Sequence, residues 1–121
     1  MAKIEEIQKH IQSLRASVPD LRGVLLASGD GLPVAHSLSE GVDAQRFAAM
    51  AAAAAGLGRK VGESLGIGSL GEVGIGGADG QVFIYAVGTK AILAVIGSAN
   101  ANTGLIHLEA RSVARSLAEA F

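Results

Sequence analysis

Apolar residues recur along this chain in two periods, one helical and one extended. Ile4, Ile7, Ile11 and Leu14 are spaced by three, four and three residues, the repeat of a single helix face, which predicts a helix from Ala2 to Ser17. Pro19 and Asp20 stop it. Leu21 to Ser28 reads as a strand, Gly29-Asp30-Gly31 as a hairpin turn that tolerates positive φ, and Leu32 to Ser37 as the returning strand. Pro33 has no N–H to donate, which places this second strand at a sheet edge. Asp43 suits an N-cap, with Val42 and Phe47 at the two positions of a hydrophobic staple, so a second helix is expected from Ala44 to about Leu65, ended by Gly66. Three strands follow, near Leu70 to Ile75, Gln81 to Val87 and Ala91 to Gly97. The short connections Gly77-Ala78-Asp79-Gly80 and Gly88-Thr89-Lys90 make them an antiparallel meander. Asn102 caps a last helix, whose Ile106, Ala110, Val113, Leu117 and Phe121 form a stripe at helical spacing.

The order is therefore α-β-β-α-β-β-β-α, an α/β sandwich of the α+β kind, with residues 1–121 read as one domain. Val82 to Val87 and Ala91 to Ile96 are apolar almost without alternation, which implies a sheet covered on both faces. Three helices achieve this only by dividing between the sides, with the first and last on one face and the middle helix on the other.

The middle helix is the most informative element. Phe47, Met50 or Ala51, Ala54, Leu57, Val61 and Leu65 form the stripe expected to pack on the sheet. The opposite face carries Ala48, Ala49, Ala52, Ala55, Gly56 and then Arg59, and a helix apolar all round is buried all round. No further helix of the chain is left to cover that face. A second copy of the same helix, crossing it in a twofold dimer, is the expected partner.

Composition narrows the function classes. Half of the 121 residues are hydrophobic, 17% are charged and 3% are aromatic, which excludes a disordered chain and leaves a core built from Ala, Val, Ile and Leu. Ten basic and eleven acidic residues are scattered singly, for a net charge of −1, so no basic stripe for nucleic acid and no polybasic run for a membrane surface is present. Cysteine is absent, which removes disulfides, thiolate nucleophiles and Cys-based zinc sites. The charged first residues are not a signal peptide, and the apolar run from Phe47 to Leu57 is too short to cross a bilayer. A cytoplasmic domain is expected.

Candidate chemistry is sparse. Gly66-Ile67-Gly68-Ser69-Leu70-Gly71 matches G-x-G-x-x-G, but a dinucleotide fingerprint follows a strand and opens a helix. Here the glycines follow a helix and lead into a strand, so a helix cap and loop is the expectation and no cofactor is assigned. His10, His36 and His107 sit in different elements without metal-ligand spacing. His10 and His107 become neighbours only if the terminal helices bring them together, and surface imidazoles are the simpler reading. Ser28, Ser37, Ser39 and Ser98 are placed in turns, where serine serves local hydrogen bonds. Glu5, Glu6, Arg111 and Arg115 read as solvated helix surface. No catalytic residue and no metal ligand is assigned.

Taken together, the chain resembles a roadblock/dynein-light-chain domain over essentially all its length. The resemblance is carried by the element order, by Gly23-Val24-Leu25-Leu26-Ala27-Ser28-Gly29-Asp30-Gly31-Leu32-Pro33-Val34-Ala35 in the first hairpin and by the Ala-rich middle helix. Asn100-Ala101-Asn102-Thr103-Gly104-Leu105-Ile106 entering the last helix completes it. It implies a five-stranded antiparallel sheet in the order 2-1-5-4-3, and a homodimer in which the middle helices pair and the third strands, with Val73 and Ile75, join the two sheets. Members of this family are dimeric adaptors, not enzymes in their own right: subunits of dynein motors, scaffolds for Ras-like GTPases and, in bacteria and archaea, partners of small GTPases. Some act as GTPase-activating proteins without an obvious catalytic arginine.

The expected function is thus a non-enzymatic homodimeric adaptor that binds a small Ras-like GTPase and modulates its GTP hydrolysis, with Arg46, Arg59 and Lys60 as the cations facing the partner. Two other readings stay open. One is a scaffold for a sensor kinase or motor subunit, and the other is a ligand-binding module using Gly66 to Gly80.

Overall fold

In the computed structural model, which describes residues 2–120, the elements follow the expected order. They are α1 (Ala2–Ser17), β1 (Leu21–Ser28), β2 (Pro33–Leu38), α2 (Ala44–Leu65), β3 (Glu72–Gly77), β4 (Gly80–Val87), β5 (Ala91–Ser98) and α3 (Thr103–Ala118). Local chemistry sets the helix ends. The Asp43 carboxylate accepts from the Gln45 and Arg46 N–H groups, Asn102 accepts from Leu105 N–H at 3.0 Å, and each satisfies a donor the helix start leaves over. At the far end of α2, Gly66 adopts φ 65°, ψ 31° and its N–H bonds back to Glu63 C=O, so the left-handed cap closes the last turn. β3 begins at Glu72 and not near Leu70, because Gly66 and the positive φ of Gly68 carry the chain through a loop first. Gly77 and Gly80 remain paired, leaving Ala78 and Asp79 as a two-residue turn.

All strand pairs are antiparallel, in the order β2-β1-β5-β4-β3, so Pro33 lies in an edge strand as its missing donor requires. Side chains alternate between two cores. Val24 and Leu26, Leu93 and Val95, and Tyr85 and Val87 pack under α1 and α3. Leu25 and Ala27, Ile92 and Ala94, and Ile84 pack under α2. Both faces being covered explains why the central strands lack polar alternation.

The terminal helices follow the predicted stripes with small shifts. Ile7, Ile11 and Leu14 are buried, but Ile4 is exposed and Val18, beyond the helix, completes the row. In α3, Ile106, Ala110, Ala114 and Leu117 are buried and Val113 only half so, while Phe121 lies outside the described residues.

The middle helix departs from expectation in a way that matters for function. Its buried residues are Phe47, Ala48, Ala51, Ala55 and Gly62. Ala48 and Ala55, expected on the outer face, are therefore pressed against the chain's own sheet. Leu57, Val61 and Leu65, expected in the core, are 66%, 44% and 69% exposed, and of the alternatives Met50 and Ala51 it is Ala51 that is buried while Met50 is 57% exposed. The reason is distance. A Cβ on Gly58 would stand 2.9 Å from Val73 Cγ2, and one on Gly62 would stand 2.8 Å from the Gly68 carbonyl oxygen. The helix lies so close that only Ala and Gly fit beneath it along most of its length, and the bulk of that core comes from strand residues Leu25, Ile84 and Ile92.

Candidate functional site

With its small residues turned inward, α2 presents a wide apolar face outward. Arg46, Ala49, Met50, Ala53, Leu57, Lys60 and Val61 are exposed on it, the larger side chains run on to Leu65, and Ile75 of the neighbouring β3 is itself 49% exposed. Val73, on the same face of β3 as Ile75, is half-buried against Gly58 of α2. The flank facing the first hairpin carries Ala52, Gly56 and Arg59, all half-buried. There the β1–β2 turn approaches closely: a Cβ on Gly31 would lie 3.3 Å from Ala49 Cα and 3.5 Å from Ala52 Cβ. Of the residues expected at a dimer contact, Ala49 and Ile75 retain open surface, Ala52, Gly56, Arg59 and Val73 lie partly covered at its margins, and Ala48 and Ala55 lie beneath it.

The cations expected to face a partner do not form one cluster. Arg46 and Lys60 share the outward face close to four turns apart, whereas Arg59 stands on the flank beside a cavity of about 330 Å³ lined also by Glu63, Ser69 and Thr89. Among the described residues the ion pairs are made by Glu72 with Arg111 and His107, so none of these three cations is neutralised by one.

The two edges of the sheet are built differently. The outer side of β2 is attended by α1: Gln8 Nε2 donates to the His36 carbonyl at 3.0 Å, and Arg15 donates to Ser37 Oγ at 3.1 Å and Ser39 Oγ at 2.7 Å. Together with Pro33 these contacts blunt the edge. β3 has no such cover. Gly74, Ile75, Gly76 and Gly77 are exposed, and only β4 pairs with it among the described residues.

Behind β3, on the α3 side, lies a polar network not expected from the sequence. Arg111 makes a bidentate pair with Glu72, with contacts of 2.8–3.0 Å, so it is not merely solvated surface. His107 Nδ1 lies 3.5 Å from the same carboxylate and 2.8 Å from the Tyr85 hydroxyl, and its ring stands edge-on to Phe83 at 4.6 Å. Burial, reinforced by the Glu72 charge and opposed by Arg111, raises the Tyr85 pKa well above the ordinary tyrosine range. The phenol therefore stays protonated and donates to Nδ1 when the imidazole carries its proton on Nε2. The available signal was the i, i+4 placement of His107 and Arg111 on one face of α3. The terminal helices do not unite His107 with His10, which lines a separate cavity near Ser116 and Glu119.

The remaining candidates are absorbed by local structure. Ser28 Oγ bonds Asp30 and accepts from Leu32 N–H, Ser98 Oγ accepts from Asn100 N–H, and Ser37 and Ser39 receive Arg15. Ser37 lies within β2, and Ser28 and Ser98 end strands rather than lying in turns. The glycine-rich segment follows α2, and Gly66 and Ile67 spend their N–H groups on the carbonyls of Glu63 and Gly62. A helix C-terminus carries partial negative charge, the wrong sign for a phosphate.

Comparison with known proteins agrees with this architecture. The family model of the Roadblock/LC7 domain matches residues 7–97. An uncharacterized protein of Methanocaldococcus jannaschii, MJ1340, is 32% identical over 101 residues, spanning 84% of this chain and 88% of its own. Among solved structures, a Roadblock/LC7 domain from Streptomyces avermitilis superposes with a TM-score of 0.86 at 24% identity, covering 91% of this chain and 92% of that one. The gliding protein MglB from Thermus thermophilus superposes with a TM-score of 0.89 at 18% identity, covering 99% and 91%. The sequence match over three-quarters of the chain makes this chain a member of the Roadblock/LC7 domain family.

Proposed function

We propose that this protein is a non-enzymatic homodimeric adaptor whose α2 helices pair about a twofold axis, and that the dimer binds a small Ras-like GTPase and modulates its GTP hydrolysis in the cytoplasm. The observation that carries the reading is the exposed apolar face of α2, continuous with an uncovered sheet edge. Met50, Leu57, Val61, Leu65 and Ile75 are each about half exposed or more, a concentration of large aliphatic surface unlike the singly scattered apolar residues of an ordinary monomer. The intervening Ala49, Ala53 and Gly56 and the edge of β3 extend it toward the ~800 Å² per partner typical of a stable dimer.

Membership of the family supports the GTPase as partner, and Arg46, Lys60 and Arg59 supply uncompensated positive charge around the paired helices. Placing charge at the centre of the face tests the dimer. Leu57→Glu, at a side chain with no core contact, is expected to give a folded monomer by light scattering, because two carboxylates would otherwise be buried across the axis. Ala52 is a poorer site, since it packs against the β1–β2 turn. A folded Leu57→Glu dimer would place the interface elsewhere. Hydrolysis by candidate GTPases, measured with and without the protein and with Arg46→Ala and Lys60→Ala variants, tests the partner. Absence of both binding and rate change would remove it.

A further inference from the structure

β4 outruns the strand beside it. Glu72, the first residue of β3, pairs with Tyr85, and Gly71 accepts one further bond from Ala86 N–H. Pairing with β3 stops there, so Val87 and the turn residue Gly88 have no strand on that side. The chain reaches Gly71 from α2, which packs on the opposite face of the sheet, and leaves the corner on the α3 side open. α3 does not fill it either, because the residues it brings there are Ala114 and Ala118: a Cβ on Gly88 would stand 3.8 Å from Ala118 Cβ. A cleft of about 270 Å³ remains between α3 and the ends of the two strands.

The walls of this cleft are short and apolar, and its rim is charged. Arg111 and Arg115, one turn apart on α3, line it together with Glu72. Glu72 is already engaged, since both its oxygens accept from Arg111 at 2.8–3.0 Å. Arg111 makes these bonds through Nε and Nη2 and leaves Nη1 without one. Arg115 is exposed and, among the described residues, has no ion pair. Two guanidinium groups against one carboxylate leave the lining with a net positive charge.

From this arrangement we infer that the cleft binds an acidic peptide segment of a partner protein, an Asp or Glu beside a short aliphatic residue. The carboxylate sits on Arg115 and on Nη1 of Arg111, and the aliphatic side chain lies against Ala114, Ala118 and Gly88. An apolar floor inside a polar rim is the anatomy of an interface pocket. Its volume falls below the ~300–1,000 Å³ of pockets that enclose a cofactor-sized ligand, so it holds one side chain and its neighbour and excludes a nucleotide. One uncompensated charge is too little to track a nucleic-acid backbone. The cleft makes no use of the α2 face, so the inference depends on neither the homodimer nor the GTPase proposed above.

Tyr85 lines the cleft, and as the sole tyrosine in a chain without tryptophan it reports occupancy by its fluorescence. Amide shifts of Gly71, Gly88 and Ala118 locate the bound probe. The probes are the blocked peptide acetyl-Leu-Asp-Leu-amide, the same peptide with Asn in place of Asp, and sodium acetate, each titrated to about 10 mM so that a millimolar complex saturates. Saturable shifts at the cleft are expected from the Asp peptide, about fivefold weaker binding from the Asn peptide, and no saturation from acetate. Arg115→Glu, at an exposed side chain, is expected to weaken the Asp peptide about tenfold and to remove its advantage over Asn. Ala118→Leu fills the cleft and is expected to abolish binding of both peptides, with a thermal melt confirming that the variant is folded. No shift from the Asp peptide, or shifts elsewhere on the surface, would overturn the site. Equal binding of the Asn peptide, or an unchanged affinity in Arg115→Glu, would overturn the role of the carboxylate. Saturation by acetate at the same amides would reduce the cleft to a site for a free small anion and overturn the peptide.

Discussion

Raising the pH interrogates the buried end of the network behind β3. Tyr85 is the sole tyrosine and the chain has no tryptophan, so phenolate absorbance reports on this one side chain. Its hydroxyl is bonded to His107 and the residue is 2% exposed, and burial together with the Glu72 charge raises its pKa in the folded protein. In the unfolded chain it ionises near its ordinary value of about 10. Above that pH the unfolded state releases a proton that the native state keeps, so stability is full below pH 10 and falls as pH rises toward the folded value. For one proton the loss is about 1.4 kcal/mol between about pH 9 and about pH 11. Denaturant unfolding at a series of pH values measures it, with Tyr85→Phe as the control. That variant is expected to be about 1 kcal/mol less stable at neutral pH, from the lost hydrogen bond, and to lose the tyrosine part of the alkaline slope. Lysine titration is common to both proteins and cancels in the difference. If native Tyr85 ionised near pH 10 while the protein stayed folded, or if both proteins shared one slope, the buried network would be wrong.

Other expectations follow from α2 and its surroundings. Gly62→Ala is expected to destabilise by about 1–3 kcal/mol, since its Cβ would meet the Gly68 carbonyl at 2.8 Å and overpacking exceeds the ~1 kcal/mol gained in helix propensity. Thermal melts showing Gly62→Ala to be stabilising would refute the close approach. Asp43→Ala is expected to cost about 1 kcal/mol through loss of the cap, read by chemical denaturation. Arg111→Met removes a bidentate but half-exposed pair, so a stability change within about 1 kcal/mol is expected, with faster amide exchange concentrated in β3.

The elements were legible because their signals are local. The stripe at Ile7, Ile11 and Leu14, the caps at Asp43, Gly66 and Asn102, and Pro33 each act within a turn or a strand, and each stands where expected. The unbroken apolar runs in β4 and β5 likewise announced a sheet covered on both sides. Faces of α2 were less legible. Size suggested that Leu57, Val61 and Leu65 fill the core and left Met50 and Ala51 as alternatives, but the helix–sheet distance decides which size fits, and Gly58 and Gly62 set that distance through contacts with Val73 and Gly68 far along the chain. Glu72, Tyr85, His107 and Arg111 were invisible as a group for the same reason, since β3, β4 and α3 meet only once the sheet has formed.

The sequence by itself determined the eight elements, their order and the division of three helices between two faces, because periodicity, capping and turn chemistry operate over a few residues. Tertiary structure alone decided which side of α2 meets water and which sheet edge stays open. Both depend on how closely distant backbones approach, and that distance is set by side chains, or their absence, on elements separated in the chain.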